Sequence, residues 1–200
     1  MPVKLTKHWL RIPKKMRHSL SIRIFHWLLT LSVFLLISSG LYISKPNYRL
    51  FANMRRAKCY HFISQVLFIG SVAWRIYHGV KTKSYRDIIP GRRDLAALWP
   101  MVRFETFFTS ATPSFQKYNP LQKLLYSSWL PAFFIQSATG LVLLAPNLFS
   151  RLEGYLGGLG NARKIHFLNT LYLVSTIMGH IYFSLIAGKN ILKSMITGYE

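Results

Sequence analysis

The 200-residue chain has one cysteine, Cys59. A single thiol builds no disulfide framework and cannot by itself hold an iron–sulfur cluster. No C-x-x-C-H occurs, which excludes a porphyrin attached through thioethers. Acidic residues are almost as scarce: five Asp and Glu stand against 26 Lys and Arg, and none lies within a long apolar run. Carboxylates inside a membrane usually serve ion or proton coupling, so their absence argues against a dedicated pump or coupled transporter. The glycine-rich stretch GYLGGLG lacks the Lys-Ser/Thr of a phosphate loop and reads as a turn. No internal repeat and no low-complexity segment stands out.

What the chain has in abundance is apolar sequence: 51% of residues are hydrophobic and 15% aromatic. Four runs are long enough to span a bilayer, at about 22–43, 60–80, 124–145 and 165–187. They predict an all-α integral membrane protein, a four-helix bundle occupying residues 22–200. The formal charge of +21 raises the question of nucleic acid, but the basic residues flank the apolar runs and no recognition fold remains once those runs are set aside. Segments expected on one side carry 17 Lys and Arg and those on the other carry eight, so both termini are expected to face the cytoplasm. The first run has no small-residue cleavage site, so it reads as a retained helix. Residues 1–21, basic with Trp9, Ile12 and Leu20 interspersed, form an expected interfacial segment on an anionic leaflet, the alternative being a disordered basic tail. Residues 81–123 make up the largest piece outside the runs. An amphipathic helix over Asp94–Phe108 is expected there. Pro131 is expected to kink the third span, and Pro146 ends it.

The histidines carry the chemistry. His26 opens the first run and His61 the second, while the fourth contains both His166 and His180, 14 residues apart. At 100° and about 1.5 Å per residue, that spacing sets two imidazoles on nearly one helix face, roughly 21 Å apart along the axis. With the orientation fixed by charge, His26 matches His180 in depth on the inner side and His61 matches His166 on the outer side. Two matched pairs fit bis-imidazole ligation of two haems, with both axial positions filled for electron transfer rather than oxygen binding. The alternative for each is an interhelical hydrogen bond. Zinc would need three or four ligands gathered within a few ångströms, whereas these separate into distant pairs. His78 lies off the His61 face and reads as interfacial or as a propionate contact. Arg75 is a candidate counter-charge for the inner propionates, or a snorkelling arginine. Gly70, mid-run, offers a flat cofactor a close approach to the backbone.

In their order, RIFHW at the first run, KCYHF at the second, KYNPLQK before the third and His-x13-His in the fourth resemble the diheme cytochrome b membrane subunits of respiratory formate dehydrogenases and nickel–iron hydrogenases. The resemblance covers nearly the whole chain. It implies an inner haem on His26 and His180 and an outer haem on His61 and His166. It further implies a quinone, menaquinone or ubiquinone, reduced beside the inner haem with contacts from Asn119, Gln122 and His180. An iron–sulfur subunit and a catalytic subunit oxidising formate or hydrogen would supply the electrons. Leu121 departs from the small residue of the formate type. Asn119-Pro120 also fits a plain helix start, with Asn as cap and Pro at the first helical position. A stand-alone transmembrane reductase and a haem-free membrane anchor are the competing readings.

Overall fold

A computed structural model describes residues 16–110, 118–186 and 188–199. Most of the basic segment 1–21, including Trp9 and Ile12, lies outside the described residues. Every named element is helical: α1 (Leu20–Ser44), α2 (Met54–Lys81), α3 (Arg92–Ala96), α4 (Leu98–Glu105), α5 (Pro120–Leu144), α6 (Ser150–Tyr155), α7 (Leu159–Ile186) and α8 (Lys189–Thr197), with short 3₁₀ turns at Pro46–Tyr48 and Ser84–Asp87. The four expected spans coincide with α1, α2, α5 and α7. Two of these helices, α1 and α5, are long and apolar enough to cross a membrane on their own, and α7 meets the criterion only when taken with α8. α2 falls short because it carries His61, Ser64, Gln65, Ser71 and Arg75 along its length.

The long helices form two antiparallel hairpins, α1 with α2 and α5 with α7. Packing is extensive within each hairpin and sparse between them, where α2 and α5 make the main contact. Large apolar side chains such as Leu31, Phe34, Phe62, Val66, Phe134 and Leu168 point outward. Buried positions are instead dominated by small or polar residues: Ser32, Ser39, Ala57, Ser64, Gln65, Ala132, Thr139 and Ala162. Such an arrangement suits a bundle solvated by lipid, where close helix approach and internal hydrogen bonds replace hydrophobic burial. A compact apolar layer of Phe68, Ala132, Phe133 and Leu173, flanked by Leu29, Val33 and Trp129, fills the middle of the bundle. Phe68 and Phe133 meet edge to face at 5.1 Å.

The hairpins are alike in helix length and in the placement of a few residues. α1 and α5 are both 25 residues long, and α2 and α7 are both 28. Counted from their first residues, α1 has Ser39-Gly40-Leu41 where α5 has Thr139-Gly140-Leu141. The second helices likewise match Ala57, His61, Phe62, Ile76 and Tyr77 with Ala162, His166, Phe167, Ile181 and Tyr182. Burial follows the same register: Ala57 and Ala162 are both 0% exposed, and Phe68 and its counterpart Leu173 are 3% and 8% exposed. No single offset aligns the halves in the sequence, because the connection holding α6 is five residues longer than its partner around Pro46–Tyr48.

The connections fix the ends of the helices. Asn53 caps α2 by accepting from the Arg56 N–H at 2.9 Å. α5 begins with the expected cap: Asn119 Oδ1 accepts from the Gln122 N–H at 2.7 Å, Gln122 Oε1 accepts from the Asn119 N–H at 3.0 Å, and Pro120 takes the first helical position. Pro131 lies within α5 without dividing it. The amphipathic helix expected over Asp94–Phe108 is divided at Ala97 into α3 and α4; Met101 is buried, while Trp99, Phe107 and Phe108 stay exposed. At the far end of the chain, the start of α1 is tied to α8: Trp27 Nε1 donates to the Met195 carbonyl at 3.0 Å, Arg23 donates to the Ile196 carbonyl, and the Arg17 N–H donates to the Gly198 carbonyl at 2.9 Å. Gly198 has φ +90, and a Cβ there would lie 3.0 Å from the His18 carbonyl oxygen, so both conformation and space select glycine.

α3 is anchored to α5 by a single carboxylate. Asp94 accepts from the Gly91 N–H at 2.8 Å and pairs with Lys123 Nζ at 3.0 Å. These two partners, the backbone donor first, hold the Asp94 carboxyl below the ordinary carboxylate range. A lowered folded pKa places this anchor's contribution above the ordinary carboxylate value of about 3.9, and it is lost as pH falls through the lowered one. Hydrogen-exchange protection of the α3 amides should therefore hold on acidification to about pH 4 and fall as the pH drops below it. Asp94→Asn should show the reduced protection already at neutral pH. Equal α3 protection in wild type and Asp94→Asn across that range would refute the anchor.

Candidate functional site

The histidines of the long helices fall on two levels. The level near the start of α1 and near α8 is here termed proximal, and the level near the α1–α2 connection distal. At the distal level, His61 of α2 and His166 of α7 lie close enough to interact electrostatically. Each ring is held from the neighbouring helix of its own hairpin. Ser39 Oγ lies 2.9 Å from His61 Nδ1, and Thr139 Oγ1 lies 2.9 Å from His166 Nδ1. Ser39 and Thr139 are counterparts, as are the two imidazoles they contact. The glycine following each hydroxyl residue lies against the ring. A Cβ on Gly40 would sit 3.5 Å from His61 Cε1, and one on Gly140 would sit 3.4 Å from His166 Cε1 and 3.2 Å from Gln65 Nε2.

Further polar groups converge on this level. Gln136 Nε2 donates to His166 Nε2 at 3.0 Å and to Thr170 Oγ1 at 2.8 Å, while its Oε1 accepts from Asn169 Nδ2 at 2.7 Å. Ser64 Oγ and Gln65 Nε2 are buried without a hydrogen-bond partner. Orphaned polar atoms beside paired imidazoles, between sparsely packed hairpins, suit a polar-edged group inserted there. The donor set, two imidazoles from different helices, fits haem iron. On these observations the residues fit the cofactor that the sequence suggested.

At the proximal level, His26 of α1 and His180 of α7 also lie within electrostatic reach of each other. Their surroundings differ from those of the distal pair. His26 Nδ1 is buried without a hydrogen-bond partner. His180 Nδ1 lies 3.4 Å from the Tyr126 hydroxyl, at the long limit of a hydrogen bond. The His180 ring meets Tyr126 and Trp129 edge to face at 5.7 and 5.5 Å. Trp129 is itself pinned by donating to Thr176 Oγ1 at 3.0 Å. The layer containing Phe68 and Leu173 separates the two levels. Leu173 stands midway between His166 and His180, about 10 Å from either along the axis.

The remaining expected site residues scatter around the proximal end. Arg75 is the counterpart of His180; its guanidinium lies over Gly79 and interacts with Tyr118 and Asp87. Tyr118 stacks edge to face on Tyr126 at 5.5 Å, which links Arg75 to the His180 surroundings. Burial pushes the Tyr118 phenol up. Asn119 and Gln122 are engaged in the cap of α5, and Asn119 Nδ2 also donates to Glu105 Oε1 at 3.3 Å. Burial likewise pushes the Glu105 carboxyl up. His78 is not drawn into either pair: its Nδ1 is buried without a partner, and it borders a cleft of about 770 Å³ with Ser21, Trp74, Tyr77 and Lys81. Gly70 lies in open space, where a Cβ would meet nothing within 4 Å. Sequence reasoning passed over Ser39, Thr139, Gln136, Gln65 and Tyr126. The signal that could have found the first two was a hydroxyl residue followed by Gly-Leu at the same place in two apolar runs.

The family model described as prokaryotic cytochrome b561 matches residues 17–198. The chain is 25% identical over 209 aligned residues to a probable Ni/Fe-hydrogenase B-type cytochrome subunit of Azotobacter vinelandii, covering 90% of this chain and 85% of that one. The corresponding protein of Azotobacter chroococcum mcd 1 matches at the same identity and coverage. With a match running nearly its full length, over helices that gather histidines at two levels, the chain belongs to the prokaryotic cytochrome b561 family, membrane proteins that carry electrons on haem b.

Proposed function

We propose that this chain is the diheme membrane subunit of a respiratory oxidoreductase, passing electrons from an iron–sulfur and catalytic partner across the bilayer to a quinone. The observation that supports this reading best is the sorting of four imidazoles into two pairs, each pair from two different helices, with an apolar layer between. His61 and His166 would hold the distal haem, and His26 and His180 the proximal one. When bound, haem b supplies reversible one-electron carriage. The protein's share is to orient the imidazoles, to fill the space between levels with Phe68, Phe133 and Leu173 so that water is excluded, and to place Arg75 as a counter-charge for propionates at the proximal end. Charge asymmetry supports both termini in the cytoplasm, so the distal level would face the periplasm, where the partner docks. The two Azotobacter relatives are named as hydrogenase subunits, which favours a hydrogenase-type partner over a formate dehydrogenase.

Quinone would react at the proximal end, bounded by His180, Asn119 and Gln122. A capped helix start offers N–H donors as well as the Asn119 and Gln122 side chains. Glu105, held against Asn119 with a raised affinity for its proton, supports proton delivery at this end.

Two measurements test the reading. A dithionite-reduced minus oxidised spectrum of the purified protein, scaled to protein, should give two haems per chain, and His180→Ala should lose one while His61 and His166 keep the other. Zero haem would establish the membrane-anchor reading, and an unchanged two-haem spectrum in His180→Ala would refute the ligand assignment. Asn119→Ser keeps a capping hydroxyl but removes the amide. It should slow quinone reduction about tenfold, the worth of one hydrogen bond near 1.4 kcal/mol, with both haems retained. An undiminished rate with added quinone would remove Asn119 from the quinone site.

A further inference from the structure

We infer that Ser39 and Thr139 are positioning residues that lock His61 and His166 into one tautomer and make the distal haem the lower-potential member of the pair. This rests on the diheme reading above. A hydroxyl has one proton to give. Ser39 Oγ lies 2.5 Å from the Leu35 carbonyl and 3.3 Å from that of Leu36, while Thr139 Oγ1 lies 2.7 Å from the Ile135 carbonyl and 3.2 Å from that of Gln136. Carbonyl oxygens only accept, so each hydroxyl proton is committed to its own helix. The oxygen then presents lone pairs to the imidazole, and at 2.9 Å the Nδ1 atoms of His61 and His166 must be the donors. Each ring is thereby fixed as the Nδ1–H tautomer, with its lone pair on Nε2.

A separate set of contacts reaches the same tautomer for His166. Thr170 Oγ1 donates to the His166 carbonyl at 2.8 Å and so accepts from Gln136 Nε2. Asn169 Nδ2 donates to the Ala132 carbonyl at 2.9 Å and to Gln136 Oε1. These contacts orient the Gln136 amide with its nitrogen toward His166 Nε2, at 3.0 Å, where it can only donate. Nε2 is therefore the acceptor, the nitrogen that a metal would take.

An imidazole that donates from Nδ1 to a fixed acceptor is a more basic ligand and favours the more oxidised metal. At the proximal level that donation is missing at His26 and weak at His180, whose contact with Tyr126 is 3.4 Å. The hydroxyl pair, with the Leu36 and Gln136 carbonyls that also interact with the two rings, therefore grades the two sites, with the distal potential below the proximal one, so that electrons run downhill from the distal to the proximal level.

The test is a spectroelectrochemical titration of the purified holoprotein. Wild type should titrate in two waves, and the haem remaining in His180→Ala should follow the lower one. Ser39→Ala and Thr139→Ala should each move the lower wave to more positive potential, the double variant should move it further, and the upper wave should stay in place. Ser39→Thr and Thr139→Ser should return the wave to its wild-type position, which loss of packing alone would not explain. An unmoved lower wave in the double variant, or a His180→Ala haem that follows the upper wave, overturns the inference. If the alanine variants fail to retain haem, nitrogen-15 spectra of the haem-free wild type decide it: His61 and His166 should carry the proton on Nδ1, and a proton on Nε2 overturns the inference. A wild type that titrates as one haem instead sinks the diheme reading, and the shift on that haem still tests the hydroxyls.

Discussion

The structure depends on accommodating imidazoles inside a bundle whose outer surface is apolar. A histidine in such surroundings must find polar partners within the protein, because lipid offers none. The chain meets this constraint by inverting the soluble pattern. Large aliphatic and aromatic side chains face outward, and the interior is lined with Ser, Thr, Gln, Ala and Gly. Ser39 and Thr139 show how economical the solution is. Each returns its own proton to the helix backbone and turns its oxygen to the neighbouring ring, so one small side chain serves an imidazole nitrogen without a charge.

The pairing of hairpins explains why the two levels differ. At the distal level the facing histidines, His61 and His166, are counterparts, as are the hydroxyls that hold them. That level therefore sits on the relation between the hairpins and inherits its symmetry. At the proximal level the counterparts of His26 and His180 are Tyr126 and Arg75. Only one of the two possible histidine pairs exists there. The same helical frame thus supplies a symmetric site at one level and a one-sided site at the other, from two hairpins of equal helix lengths.

Much of this was legible in the sequence, and the failures have definite causes. Four apolar runs located the four long helices to within about six residues. The errors lie at polar ends, where Asn53 starts α2 ahead of its apolar run and the residues around Gly160 and Asn161 extend α7 backwards. Hydropathy also overstated the uniformity of the spans: α2 reads as an apolar run, but it carries inward-facing polar residues that keep it below the threshold its neighbour α1 passes. The histidine levels were legible because helical rise converts sequence distance into depth. The partners of the rings were not, since they depend on how α1 is rotated against α2 and α5 against α7. The likeness of the hairpins is faint in the sequence because few positions are shared and unequal connections break the offset between the helices of the two halves.

One-sidedness at the proximal level has a chemical consequence. The positions that would have completed a second histidine pair are Tyr126 and Arg75, and they connect His180 to Tyr118, which contacts Tyr126 and interacts with Arg75. Asn119, Glu105 and the capped start of α5 adjoin the same region. At the distal level Gln136, Asn169 and Thr170 satisfy one another inside the bundle, and the unpaired Ser64 Oγ and Gln65 Nε2 are enclosed with them. A substrate that must gain protons as well as electrons needs polar groups with capacity to spare and a route to solvent. In the proposed reaction the proximal end supplies them, where a tyrosine and an arginine stand in place of a symmetric histidine pair.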